Sequence, residues 1–452
     1  MPKSLRDRIL PAAAVLALVM GAMPAAARDS KSVFTGLPID PEIAAKPLKP
    51  DKPIRFEPAW SFAGFTAPLA GDLAASDALL AGTDVAGHLV VLDPKSGTER
   101  WHVDLEDAAS TGPTVAGEAI LQATSGGKLR AFAASDGRAL WSADLGGLPA
   151  GPAVLLWGSV LQTTRTPEVV SIDARDGRVT GRLALESIPM PPEEARPKHA
   201  LAAVIAAEGG QVRLVDPATL KVHWRRDIGQ AITSPPLVTR DRIYLGAGDR
   251  SIRSLKLSSG RQKWSQRVGS RVSARLVARG EFLYALCYDT DIYLLVAHNG
   301  HLAGRAHLDH RLAQDAAEGE GRLFVAPYTA AALVGLEFPR LAVAGRYELN
   351  EHGEWFTTAP TWAADRVTLG WGRETGHLVA LNIVDAPPAE KEPSKPGPDK
   401  PGATTPSSGT PGTIAPGAAA PGTAPPDTIP EPPIVPPSPA PPPPPTESGS
   451  HR

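Results

Sequence analysis

Short apolar runs of four to six residues recur along this chain, set apart by tight polar turns. The clearest instance is Leu129–Trp141, LRAFAASDGRALW, which reads as an apolar strand, an Asp136–Gly137 turn and a second strand closing on tryptophan. Leu89–Trp101 (LVVLDPKSGTERW) carries the same phrase 40 residues earlier, and Ile252–Trp264 (IRSLKLSSGRQKW) carries it again. Runs of this length between turn residues predict β-strands, and a fixed period near 40 residues predicts a solenoid or a propeller. The closing position falls at Trp60, Trp101, Trp141, Gly181, Trp224, Trp264, Gly304 and Tyr347, at spacings of 41, 40, 40, 43, 40, 40 and 43 residues. That spacing suits four short strands per propeller blade.

Each unit divides in the same way. In the fifth, Pro236–Val238 begins an inner strand, Arg242–Leu245 forms the next, Ile252–Leu257 the third, and Arg261–Arg267 the outer strand around Trp264. Turns recur between third and fourth strands, at Lys95–Gly97, Ser135–Gly137, Arg175–Gly177 and His298–Gly300. Glycine there permits positive φ, as a tight hairpin demands. Beyond Tyr347 only three more strands follow, near Ala359–Trp362, Arg366–Leu369 and His377–Asn382, while Arg55–Phe62 (RFEPAWSF) is an outer strand without a blade. Pairing the two ends completes an eighth blade and removes the edges of an open ring. The expected fold is all-β: an eight-bladed propeller of four-stranded antiparallel blades over residues 55–385, closed by its N-terminal strand. Three blades depart from the pattern, since Gly181 and Gly304 replace tryptophan and blade seven lacks the Asp-Gly turn. Blade four carries Ile188–Pro197 (IPMPPEEARP), which reads as a surface loop.

The flanks differ in composition. Residues 1–27 have a basic start (Lys3, Arg6, Arg8), an apolar run and small residues at Ala25–Ala27, as a cleaved secretory signal does. Pro11, Gly21 and Pro24 break the run short of the roughly 20 apolar residues of a spanning helix. Residues 28–54 read as a Pro- and Lys-rich linker. Residues 386–452 hold about half of the 48 prolines and no aromatic residue, the composition of a disordered or polyproline spacer.

The phrase of apolar strand, Asp or Ser, two residues, Gly, three residues and Trp resembles the PQQ-like propeller repeat. That family includes quinoprotein alcohol dehydrogenases and BamB-type outer-membrane assembly factors, both eight-bladed. The resemblance spans roughly Arg55–Asp385 and implies that Trp101, Trp141, Trp224 and Trp264 are structural, packing between neighbouring blades. A fold of this kind hosts many functions, so activity has to be argued from a site.

The chemistry expected of a quinoprotein dehydrogenase is not legible here. The resemblance implies a disulfide between adjacent cysteines, calcium ligands and an aspartate base, with a C-x-x-C-H haem motif in some members. Cys287 is the only cysteine, in an apolar run (EFLYALCY), and reads as a buried small hydrophobe; no internal disulfide can form. No cysteine near the expected cleavage site is available for a lipid anchor. The best metal candidates are His298, His301, His307, Asp309 and His310, since imidazole suits zinc or copper. Six residues of strand separate His301 from His307, about 20 Å, so those two cannot share an ion. Neither a G-x-S-x-G elbow nor a phosphate-binding glycine loop is present; the G-x-G at Gly246–Gly248 leads into a strand.

Aligned inner strands place proline at Pro68, Pro113, Pro152, Pro236 and Pro360, whereas blade six offers Arg275. Arg275, with Asp315 of the next blade, is expected at the mouth of the central channel, where a guanidinium would hold an anionic partner group. The formal net charge of −2 gives no excess to favour nucleic acid. The expected function is that of an exported, non-catalytic, BamB-like protein-binding scaffold without a cofactor, periplasmic or outer-membrane-associated and not lipid-anchored. It would be a monomeric propeller with a protein partner in the cell envelope and no transmembrane span. A degenerate PQQ-dependent dehydrogenase and a carbohydrate- or cell-wall-binding propeller are the alternatives.

Overall fold

The computed structural model describes residues 49–197, 200–327, 330–349 and 355–386. The expected signal segment, most of the linker and the proline-rich tail lie outside the described residues. Eight four-stranded antiparallel sheets follow one another along the chain. Blade one consists, from inner to outer, of Ala74–Ala75, Leu80–Thr83, His88–Leu92 and Glu99–Asp104, and blades two to seven repeat that meander. Blade eight takes Thr361–Ala363, Arg366–Trp371 and His377–Asp385 from one end of the propeller segment and Ile54–Phe62 from the other. The two end strands pair antiparallel from Ile54↔Asp385 to Phe62↔Leu378. Just past them the Ala386 N–H donates to the Pro53 carbonyl at 2.9 Å. The ring is therefore closed by hydrogen bonds between its own ends, and no blade is left with an unpaired third strand.

Burial follows position in the blade. Second strands are covered on both sides, as in Ser159–Thr164, where all six residues are buried. Outer strands alternate, as Val179–Ala184 does, because one face packs on the next blade and the other meets solvent. The core is thus distributed between blades: Leu89 and Val91 of blade one pack with Ile120 and Phe132 of blade two in a single cluster.

Tryptophan and glycine together set the blade-to-blade contact. Trp101 of blade one donates from Nε1 to the Ala134 carbonyl of blade two at 3.0 Å, and its ring lies over the turn glycine Gly137. Trp60, Trp141, Trp224 and Trp264 repeat the bond to Pro94, Ala174, Leu257 and Ala297 at 2.9–3.1 Å. Their rings cover Gly97, Gly177, Gly260 and Gly300, where an added Cβ would come within 2.5–2.7 Å of the ring. The glycine is thus required twice, for a φ of +64° to +77° and for room beneath the indole. Where glycine replaces the tryptophan, other groups fill the seam. Beside Gly181, Thr180 and Ser171 donate their hydroxyls to the Ala218 and Pro217 carbonyls at 3.0 and 2.8 Å. At the junction of blades six and seven, the Tyr284 hydroxyl donates to the Pro339 carbonyl at 3.2 Å.

Two sequence expectations are corrected. The closing position of blade seven is Gly345, not Tyr347. Gly345 pairs with Gly335 just before the register shift, as Trp101 pairs with Val91, and the backbone of Ile54 occupies the space a larger side chain would need. The segment Ile188–Pro197 is not a surface loop, because Glu193–Ala195 within it is the inner strand of blade four. Its prolines obscured the strand, yet Pro191 and Pro192 stand just before the paired residues, where no ladder donor is missed.

Candidate functional site: axial channel and connection face

The meander sorts the loops onto two faces. Hairpins between second and third strands, and the connections from one blade to the next, gather on one face, called here the connection face. Hairpins between inner and second strands, and between third and outer strands, gather on the opposite, turn face.

Inner strands line the channel, and register identifies their equivalent residues. Two residues before the paired inner strand stand Asp72, Gly112, Pro152, Pro235, Arg275, Asp315 and Ala359 in blades one, two, three, five, six, seven and eight. Pro68, Pro113, Pro236 and Pro360 are therefore not equivalent to Arg275; only Pro152 among the aligned prolines is. The proline alignment concealed Asp72 as the blade-one counterpart of Arg275. The Asp that stands two residues before the inner run in blades one and seven was the usable signal.

These charged residues form a repeated contact. The Arg275 N–H donates to Asp315 Oδ1 at 2.6 Å, and the Ala359 N–H donates to Asp72 Oδ1 at 2.7 Å. In both cases an aspartate receives the equivalent backbone N–H of the preceding blade. The structure thus brings Arg275 and Asp315 together, through the backbone of the arginine. The guanidinium itself reaches across to Glu193 of blade four and forms an ion pair that bypasses blade five. Glu193 was not singled out in the sequence because it lies within the segment read as a loop. Arg275 sits in the irregular step between the Val272↔Cys287 bridge and the Val277↔Tyr284 pair, below the outermost residues of the channel wall.

Asp72 is exposed, yet the nearby protein desolvates its carboxyl. Its carboxyl is held above the ordinary aspartate range, chiefly by that desolvation; the Ala359 N–H opposes the shift and the Asp315 charge adds to it. Beside it lies a cavity of about 500 Å³, lined by Ala70–Ala75, Ser110–Val115, Pro152 and Ala153. Glycine sets the close approach of blades one and two at this wall: a Cβ on Gly112 would fall 2.1 Å from the Asp72 carbonyl oxygen.

The histidine candidates do not converge. His298 lies at a turn, His301 precedes the outer strand Leu302–His307, and His307 Nδ1 lies 2.8 Å from Asp291 Oδ1. Arg305 also pairs with Asp291, at 3.1 Å, and Arg346 pairs with Asp309 at 3.1 Å. Among the described residues no group of three or more His, Cys, Asp or Glu side chains is placed to hold a metal ion. Cys287 is fully buried, and desolvation pushes its thiol far above the ordinary range, so it is no nucleophile in the folded chain. Among the described residues no helix is long and apolar enough to cross a membrane.

The connection face carries most of the exposed bulk outside the strands. Val85, Leu148 and Trp355 are each at least 40% exposed on its turns and connections. Exposed apolar side chains of this size, set among polar neighbours on loops, suit contact with another macromolecule. Arg373 lies over the Trp355 ring at 3.4 Å, and Trp371 stacks on His377 at 4.4 Å.

A family model described as outer membrane protein assembly factor BamB matches residues 57–189 and again residues 165–328. The outer membrane protein assembly factor BamB of Nitrosomonas eutropha is 28% identical over 203 residues, covering 41% of this chain and 49% of that protein. Its namesake in Moranella endobia is 24% identical over 238 residues, covering 47% and 61%. The chain thus spans about half to three fifths of the length of these relatives. A shorter stretch of 102 residues is 30% identical to the beta-alanine-activating enzyme of Homo sapiens, covering 21% of this chain and 9% of that protein. Among solved structures, BamB from Moraxella catarrhalis matches with a TM-score of 0.61 at 15% identity, over 72% of this chain and 99% of that one. The computationally designed Ika8 protein matches equally, with a TM-score of 0.61 at 14% identity over 73% and 99%. At such identities the two structures share the fold.

Proposed function

The chain belongs to the family described as outer membrane protein assembly factor BamB, and on that premise we propose that it is an exported, non-catalytic scaffold for envelope protein partners. The observation that carries the reading is the family match over residues 57–328, more than half of the 452-residue chain. The connection face supports it, since its exposed Val85, Leu148 and Trp355 offer apolar anchors on a rigid ring. In this reading the propeller works as a monomer, because its own ends close the ring. It resides in the periplasm or against the outer membrane, with residues 386–452 as a spacer.

Arg275 and Asp315 would form the axial part of the docking surface. A partner carboxylate that entered the channel would compete with Glu193 for the Arg275 guanidinium, while Asp315 holds the Arg275 backbone in place. An affinity pull-down tests the reading, using the mature chain with and without residues 387–452 as bait for detergent-solubilised envelope, read by mass spectrometry. Recovery of an outer-membrane assembly component that survives removal of residues 387–452 is expected. A folded bait that returns empty would overturn the scaffold reading.

A further inference from the structure

We propose that Arg271, Tyr288 and Arg311, on the connection face of blades six and seven, bind a carboxylate-rich segment of a protein partner. The inference rests on the scaffold reading and names one part of its docking face.

Three separate backbone segments bring these side chains together. Arg271 lies on the connection into blade six, Tyr288 on the hairpin between its second and third strands, and Arg311 on the connection into blade seven. The Tyr288 N–H donates to the Arg271 carbonyl at 2.9 Å, and the Leu312 N–H donates to the Asp289 carbonyl at 3.2 Å. The platform is therefore held by main-chain bonds before anything binds. Both guanidinium groups lie over the one phenol ring, at 4.6 and 5.7 Å from its centroid. Both arginines are exposed, and neither is among the ion pairs formed within the described residues. The neighbouring carboxylates are engaged elsewhere: Asp309 pairs with Arg346, Asp315 takes the Arg275 N–H, and Asp289 takes the Asp291 N–H.

Two like charges gathered on one ring repel each other, and stacking offsets only part of that repulsion. A guanidinium that lies over a ring keeps N–H donors free, and those donors pair with planar carboxylates. Arginine and tyrosine on a rigid platform are also the residue types that carry most binding energy at protein interfaces. An extended polyanion fits less well. The positive centre is small and bounded by Asp289 and Asp309, so it fits a short acidic segment and would leave most of a phosphate-studded surface unpaired.

The test uses the full mature chain and a fluorescein-labelled octapeptide of alternating Glu and Asp, followed by fluorescence anisotropy at low and physiological salt. A Gln/Asn peptide, inorganic polyphosphate and anionic phospholipid vesicles serve as parallel probes. The variants are Arg271→Gln/Arg311→Gln and, on the turn face, Arg279→Gln. All three sites are exposed, and an unchanged Tm confirms folding. The acidic peptide should bind, weaken with salt, and lose about tenfold or more in affinity in the double variant but not in Arg279→Gln. Equal binding by the double variant and the parent overturns the proposal. Preference for polyphosphate or vesicles overturns it in favour of phosphate recognition. The same variants then serve as bait in the envelope pull-down. If the parent and the double variant recover the assembly component equally, the cluster is excluded from docking while the scaffold reading stands. If acidic-peptide binding depends on the cluster but no bait recovers a partner, the scaffold reading fails and the carboxylate site remains.

Discussion

Replacing Gly137 with alanine introduces a Cβ that meets two obstacles at once, and a second glycine in the same blade separates them. Gly137 has a φ of +75°, and its added Cβ would lie 2.6 Å from Trp101 Cε3. Gly117, in the hairpin between the inner and second strands of blade two, has a φ of +65° but no atom within 4 Å of its added Cβ. Left-handed backbone costs an alanine about 1–2 kcal/mol, and both variants share it. Both also share the small gain from a less flexible unfolded chain. Only Gly137→Ala must displace an indole that is 9% exposed and tied by its Nε1–H to Ala134. Forcing extra volume into such a site adds about 1–3 kcal/mol. Gly117→Ala is therefore expected to destabilise by about 1–2 kcal/mol and Gly137→Ala by about 2–5 kcal/mol. In a Trp101→Ala background, itself costing about 3–5 kcal/mol, Gly137→Ala should cost no more than Gly117→Ala does. Urea unfolding followed by far-UV circular dichroism measures all five chains. Equal costs at the two glycines, or additive costs in the double variant, would falsify the docking account of the tryptophan.

Four further outcomes are expected. Glu193→Gln should free the Arg275 guanidinium and strengthen capture of an acidic partner, whereas Arg275→Gln should weaken it; unchanged capture in both, measured by the envelope pull-down, removes the channel from the docking surface. Asp72→Asn should raise the urea midpoint at neutral pH. The raised carboxyl pKa means that ionised Asp72 destabilises the fold, so the parent should regain stability as pH falls towards the ordinary aspartate range near about 4 and the gap should close; a gap independent of pH contradicts this. Cys287 should resist a thiol reagent in buffer and react once urea unfolds the chain, and native labelling at an appreciable rate would contradict its burial. Removing residues 28–62 should expose the edge of the His377–Asp385 strand and cause self-association in size-exclusion chromatography; a monodisperse, folded product would show that closure is dispensable.

The repeat was legible because its two markers serve one contact: each tryptophan needs the turn glycine of the next blade, so both recur at one period. Closure by Arg55–Phe62 was legible for the same reason, since Trp60 closes a repeat that has no strands of its own before it. The seam at blade seven was not legible. Glycine at position 345 leaves no side chain to mark it, and nearby Tyr347 offered a better-looking aromatic. The inner strands were harder still. With only two or three paired residues each, they carry too little apolar pattern to register against one another, so prolines from different positions were aligned and Asp72 was missed. Glu193 was hidden by its flanking prolines. The Arg271–Tyr288–Arg311 cluster draws on three loop segments that no periodicity connects, so only the folded chain brings them together.

The bond from Ala386 to Pro53 has a consequence for orientation. The strands Ile54–Phe62 and His377–Asp385 meet there at the turn face, so the polypeptide enters and leaves the ring at a single point of its circumference. Whatever is attached at either end, a leash to a membrane or a spacer through a polymer layer, pulls on that point alone. A load that draws the two ends apart there peels the paired strands from Ile54↔Asp385 inward, one bond at a time. The opposite face, which carries Trp355, Arg271 and Arg311, lies at the other end of the strands from that point.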